Sequence, residues 1–163
     1  MLLISRTAKI SPLADIEDSV RGSKIIIDDA VTIDAFVKIK PAGGSGDVHI
    51  GARSFINSGT VIYSGNGVRI GEDVLLAANC TLAATNHEYR SRGRKIIEQR
   101  FAASRGGIVI GNDVWIGAQT VILDGAVIPD GVVIGALSLV GPGDLEPYAV
   151  YGGNPLRRLG QRE

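Results

Sequence analysis

The hydrophobic positions of this chain recur every six residues. From Ile110 the steps fall on Ile116, Ile122, Ile128, Ile134 and Val140. With about a third of positions aliphatic, six such hits are a roughly one-in-a-thousand accident. The same spacing returns upstream in triplets: Ile27, Ile33, Ile39; then Ile50, Ile56, Ile62; then Ile70, Leu76, Leu82. Four residues after a hit the side chain is usually small or β-branched, as at Val31, Ser54, Thr60, Val74, Cys80, Val114, Thr120, Ala126 and Ser138. A period of six is neither the 3.6 of a helix nor the strict alternation of a half-buried strand. It predicts one short strand and one turn per unit, with three units closing a triangular coil.

Coils of this kind stack like paired strands, about 4.8 Å apart. The spacing predicts about five, starting near residues 27, 50, 70, 110 and 128, hence a prism about 24 Å tall. No coil buries its own inner face, so stacking is obligatory and both ends need covering. Residues 1–20 are the candidate N-terminal cap and 145–163 the candidate C-terminal cap and tail of a single domain. Departures from the repeat locate the loops. Two extra residues fall in "YSGNG", 63 to 67, and five in "KPAGGSGDVH", 40 to 49. The large excess is 83–109, containing "LAATNHEYRSRGRKIIEQRFAASRGG". The pattern assigns this stretch neither helix nor strand, and long loops in regular domains tend to carry function.

Composition narrows the function. Net charge is zero, against a nucleic-acid binder, which would show a basic excess. A single cysteine, Cys80, gives no disulfide framework; it occupies a small inward repeat position, so a buried, inert thiol is expected. No apolar run is long enough to span a membrane and the N-terminus shows no signal-peptide pattern, so a cytoplasmic protein is expected. Of the two histidines, His49 sits at a coil start without a motif, whereas His87 stands where the repeat gives way to the long insertion. That insertion carries Arg90, Arg92, Arg94, Lys95, Arg100 and Arg105 against Glu88 and Glu98, a local excess of four positive charges. It is either a solvated loop or an attraction for phosphates or an anionic glycan.

The "NH" before a basic loop, then "IVIGNDVWIGAQTVILDGAVI", then "VYGGNPLRR", resembles the hexapeptide-repeat acyltransferases over about residues 50–158. The resemblance is nearest to the branch of galactoside, maltose and polysaccharide O-acetyltransferases. It implies an all-β, left-handed parallel β-helix, and acetyl-CoA as acyl donor with no metal required. It implies that His87 is the catalytic residue, that Asn57 and Trp115 lie at the substrate, and that Ala118, Ala136, Arg157 and Arg158 hold the CoA. It further implies a homotrimer with active sites between subunits. Two positions depart from the pattern. Gly65 stands where galactoside enzymes carry a sugar-binding aspartate, so galactoside is an unexpected acceptor. Gly141-Pro142 replaces the usual Thr-Lys, which shifts the nearby CoA contact toward Arg157 or Arg158.

The chemistry is coherent with these residues. Moving an acetyl group to a hydroxyl needs a base for the alcohol proton, and imidazole suits neutral pH. It needs donors for the developing oxyanion, and backbone N–H groups serve. A thioester is already activated, so no acyl-enzyme is required. The leading expectation is an acetyl-CoA-dependent O-acetyltransferase acting on a sugar or surface-polysaccharide precursor. The alternatives are amino-sugar N-acetylation, antibiotic acetylation on the same fold, and a non-catalytic structural β-helix. A zinc carbonic anhydrase on this prism would need three histidine ligands, and the chain has two histidines. Asn57 and Asn79 also have a plain reading as turn residues, and Trp115 as packing between coils.

Overall fold

A computed structural model describes residues 1–163. The chain is a left-handed parallel β-helix whose three faces are parallel sheets. We call them A, B and C in the order each coil visits them. The inner ladders follow the six-residue spacing. Ile27, Ile50, Ile70, Ile110 and Ile128 stack in register on face A. Ile33, Ile56, Leu76, Ile116 and Ile134 do so on face B, and Ile39, Ile62, Leu82, Ile122 and Val140 on face C. All fifteen are buried within one core cluster. Full burial of such a side chain is worth about 1.5–3 kcal/mol, so the stacked ladders dominate stability. The small inward positions, Ser54, Thr60, Thr120 and Ser138 among them, are buried as well. Ser54 and Thr120 donate hydroxyl hydrogen bonds to the carbonyls of Gly71 and Gly135, which satisfies polar groups that would otherwise be costly inside.

The prism has six coils rather than five. Residues 1–20, expected as a cap, form a full first coil from strands Leu2–Ile4, Lys9–Ile10 and Asp15–Ile16, each paired in parallel with the second coil. Ile4, Ile10 and Ile16 carry the same six-residue step. Ile4 is exposed and Ile10 and Ile16 are half-buried, so this coil extends the core with less burial than those that follow. At the other end Ala149–Gly152 adds to face B beside Val133–Ile134, and Arg157–Gln161 turns back antiparallel to it. Reversing direction closes the face with a strand that cannot continue the helix, a common way to blunt a sheet edge.

Turns sit in columns at the three edges of the prism. From the second coil on, one residue per turn at the A–B and B–C edges takes a left-handed backbone, Asp113 and Gln119 for example, at φ 53° and 59°. The extra residues of the repeat fall instead on the C–A edge, at 17–24, 41–47, 64–67 and 84–107. The long insertion, expected over 83–109, runs between the strands Thr81–Ala83 and Ile108–Ile110 and holds one short helical turn, Ile96–Gln99. Two glycines make the crowding at this edge feasible. A Cβ on Gly46 or on Gly107 would collide with the backbone of Asn66 and Gly67, which lies between them.

Cys80 is buried, and its thiol donates to the Gly117 carbonyl at 3.3 Å. Burial pushes its pKa up, because a thiolate there would lose its hydration. Iodoacetamide is therefore expected to leave the native protein unmodified and to label one thiol after unfolding, read by mass spectrometry.

Candidate functional site

His87 belongs to a narrow neck through which the long insertion leaves and returns. Glu88 N–H donates to the Arg100 carbonyl and Ala102 N–H to the Asn86 carbonyl, so His87 and Phe101 face each other across an antiparallel bridge. Arg100 turns the chain with a left-handed φ of 64°. The His87 ring lies against Phe101, centroids 4.9 Å apart. Its Nδ1 is 3.1 Å from the Arg100 carbonyl. A carbonyl oxygen can only accept, so Nδ1 carries the hydrogen and Nε2 keeps the free lone pair. The imidazole is thereby oriented by backbone and ring together, with its basic nitrogen free.

A cleft of about 320 Å³ adjoins this histidine, lined by Gly43, Tyr63, Ala83, Thr85 and Phe101. The strand Thr81–Ala83 supplies its rigid side and the insertion supplies the other. The return limb of the insertion is pinned by a buried carboxylate, Asp124. It accepts the N–H groups of Arg105 at 2.8 Å and Gly107 at 2.9 Å, and the Asn66 side-chain amide at 3.2 Å. Nothing in the repeat marks Asp124 beyond a carboxylate at the turn "LDG", next to an inward ladder position.

The remaining candidate residues lie elsewhere on the prism. Asn57, Ala118 and Ala136 sit in the turn column of the B–C edge, across face C from His87. The Asn57 side-chain amide donates to the Leu76 carbonyl at 2.7 Å, a bond that ties one coil to the next. Asn79, in the same column, takes the left-handed turn position at φ 59°. The N–H groups of Ala118 and Ala136 make no hydrogen bond within the chain, whereas the Ala118 carbonyl accepts from Leu137. Two free donors thus stand one above the other along an edge, fixed by the coils behind them. Trp115 projects from face B, half exposed, stacked in register between Leu75 and Val133. It lines a cleft of about 350 Å³ flanked by Asp73, Asp113 and Arg162. Arg157 and Arg158 lie on the returning C-terminal strand. Arg158 is engaged by Glu146 at 3.5 Å and Gln161 at 2.7 Å, while Arg157 is exposed and makes no side-chain bond.

The single chain therefore does not gather the candidate residues into one cavity. His87 and its basic insertion occupy the C–A edge; Asn57, Ala118 and Ala136 occupy the B–C edge; Trp115 looks out from face B. His49, the other histidine, pairs with Asp28 at 2.7 Å on face A, away from all of them.

A family model, the bacterial transferase hexapeptide of six repeats, matches residues 107–142. The chain is 40% identical over 111 residues to the galactoside O-acetyltransferase of Escherichia coli K12, covering 68% of this chain and 52% of that one. It is 51% identical over 57 residues to a chloramphenicol acetyltransferase of Agrobacterium fabrum, covering 35% of this chain and 27% of that one. It thus spans about half, or less, of the length of these relatives. Among solved structures, an N-acyltransferase from Bacillus cereus, held with dTDP-4-amino-4,6-dideoxyglucose and coenzyme A, superposes with a TM-score of 0.81 at 28% identity, covering 98% of this chain and 83% of that one. The family match falls on coils whose inner ladders repeat without insertion, and the chain belongs to the hexapeptide-repeat transferases of the left-handed β-helix fold.

Proposed function

We infer that the protein is an acetyl-CoA-dependent O-acetyltransferase acting on a hydroxyl of a sugar or surface-polysaccharide precursor. The observation that carries this reading is the His87 ring, fixed through Nδ1 with Nε2 left as a base beside a cleft. Nε2 takes the proton of the acceptor hydroxyl as the oxygen attacks, and later releases it toward the departing sulfur. The thioester supplies the activated acyl group. The free N–H of Ala118 is suited to hold the acyl oxygen and that of Ala136 the donor's amide arm, since rigid backbone donors need no reorganisation as charge develops. Because these groups occupy different edges, the working site is assembled from two copies, His87 from one and Asn57, Ala118 and Ala136 from its neighbour, in a closed homotrimer. Acetyl-CoA is a metabolite of the cell interior, which assigns the reaction to the cytoplasm. No helix of the chain is long and apolar enough to cross a membrane.

A second reading, N-acylation of an amino sugar, draws on the similarity to the Bacillus cereus N-acyltransferase. An acceptor panel separates the two. Purified protein, acetyl-CoA and matched pairs of hydroxyl and amino sugars are followed by release of free thiol. Turnover confined to hydroxyl acceptors supports the ester-forming reading; preference for amines transfers the assignment to the amide-forming one; no turnover with any sugar counts against both.

Arg157 and Arg158 are suited to the donor's phosphates. They are not equivalent, since successive residues of a strand point to opposite faces and Arg158 is already held by Glu146 and Gln161. Arg157→Ala is expected to raise KM for acetyl-CoA several-fold with little change in kcat, and Arg158→Ala to raise it less. Steady-state kinetics on the two single variants decide between them.

A further inference from the structure

The groups assigned to the donor and the cleft beside His87 stand at different heights of the prism. Ala118 and Ala136 belong to the fifth and sixth coils. The cleft reaches from Ala42 and Gly43, in the turn between the second and third coils, to the neck that follows the fourth. Copies related by an axis along the prisms keep these heights. A donor held along Ala118 and Ala136 therefore meets His87 from the C-terminal side, and the cleft is left to the acceptor. Its volume of about 320 Å³ is at the small end of ligand pockets, which run from about 300 to 1,000 Å³. It has room for one sugar ring rather than a chain of them.

The lining offers a sugar few polar partners. Besides His87 it consists of the side chains of Ala42, Tyr63, Ala83, Thr85 and Phe101 and the backbone of Gly43, without a carboxylate, an amide or a cation. The Thr85 hydroxyl is buried, has no partner in the chain, and is packed against Gly43, where an added Cβ would stand 2.8 Å from it. Gly65 presses on Thr85 from another side: a Cβ there would stand 2.9 Å from the Thr85 Cβ and collide with the Ala84 carbonyl. Both glycines take left-handed φ values, 81° and 44°, so neither position can carry a polar side chain into the cleft. The polar groups open to a ligand are the Tyr63 hydroxyl and the His87 ring. In the shared site described above the neighbour brings Asn57, whose amide is already given to the Leu76 carbonyl.

Tyr63 ends the strand Val61–Tyr63 and points outward on face C, in register between Lys40 and Ala83. Lys40 is drawn to Glu17, at 3.4 Å. Ala83 is a single methyl, so the flank of the tyrosine ring toward His87 is left uncovered, and that gap is the cleft. A tyrosine offers an apolar face and a polar tip together, and here the tip is unpaired. We propose that the cleft takes one deoxysugar ring of the acceptor, its C–H face on Tyr63, its deoxygenated carbon against Ala42, Gly43 and Ala83, and the hydroxyl to be acetylated at His87 Nε2. Tyr63 is then the residue that sets acceptor specificity. A fully hydroxylated hexose brings hydroxyls that find no partner among these groups, whereas a methyl there needs none. An apolar pocket discriminates against one added hydroxyl by up to about 10²-fold. The assignment rests on the acyl-transfer reading above and names its substrate class.

Binding and turnover are read separately. The probes are the methyl glycosides of glucose and galactose and their 6-deoxy counterparts. Ligand-observed saturation-transfer NMR on the wild type is expected to favour the 6-deoxy compounds, with their methyl protons the most strongly saturated. Tyr63→Phe is expected to keep that pattern and Tyr63→Ala to lose it. By thiol release, the 6-deoxy acceptors should be favoured in kcat/KM by about 10–10²-fold. Tyr63→Ala should raise acceptor KM by about tenfold and level the preference, with KM for acetyl-CoA unchanged. Ala83→Leu fills the gap beside the ring from an outward position, and it should have the same effects even if Tyr63→Ala fails to fold. Three results would overturn the proposal: equal binding of the deoxy and fully hydroxylated compounds, unchanged methyl saturation in folded Tyr63→Ala or in Ala83→Leu, or no binding of any of the four sugars. The expected binding pattern without thiol release leaves the subsite standing and removes the acetyl-transfer reading instead.

Discussion

His87→Ala is expected to lower kcat by about 10²–10⁴-fold, the usual contribution of a positioned general base, while the melting temperature and the oligomer stay as in the wild type. The ring takes no part in the core: it is exposed, it touches Phe101, and its one hydrogen bond goes to a carbonyl that also accepts from Glu88 N–H. Removing it leaves that carbonyl satisfied. Acetyl-CoA affinity should hold as well, because the groups assigned to the donor lie on another edge and another copy. Loss confined to kcat is what removal of an interaction made only at the transition state produces. A folded variant turning over its best acceptor within a few-fold of wild type would remove His87 from the role of base.

The fold is legible because the inward side chain recurs at a fixed step and nothing else yields that step. Each of the fifteen core aliphatics named from the spacing is in its ladder. The first coil escapes the pattern for an energetic reason. Ile4, Ile10 and Ile16 carry the period, but charged or polar residues flank Ile10 and Ile16 and much of each side chain meets solvent. The insertion is legible as an interruption and not as a structure, because its order comes from contacts no period encodes: the Gln99 brace, the His87–Phe101 neck and the Asp124 anchor. The candidate site residues are proposed from motif, and motif says nothing of their division between edges. That division follows from where each six-residue unit lies around the prism, and it requires counting coils correctly before any edge can be assigned.

Asp124→Ala is expected to be the most damaging change outside the ladders. The carboxylate is buried and accepts three hydrogen bonds, two of them from the backbone of the limb that returns from His87's neck. Its removal orphans the N–H of Gly107, a buried residue, and that of Arg105, nearer solvent. At about 1–3 kcal/mol for each unsatisfied donor, with the outer one at the low end, the cost is about 2–4 kcal/mol. Part of it can be relieved by releasing the limb, and then the neck loses its footing on the prism. Asp124→Asn keeps an acceptor for one N–H but turns an amide hydrogen toward the other, so it should recover only part of the stability. Denaturant unfolding of both variants measures the energies, and proteolysis within 88–105 reports the release of the limb. The signature of an anchor is a fall in kcat that grows with protease sensitivity across the series from wild type through Asn to Ala. Equal stability of the alanine variant and the wild type would show that the insertion is held by other contacts.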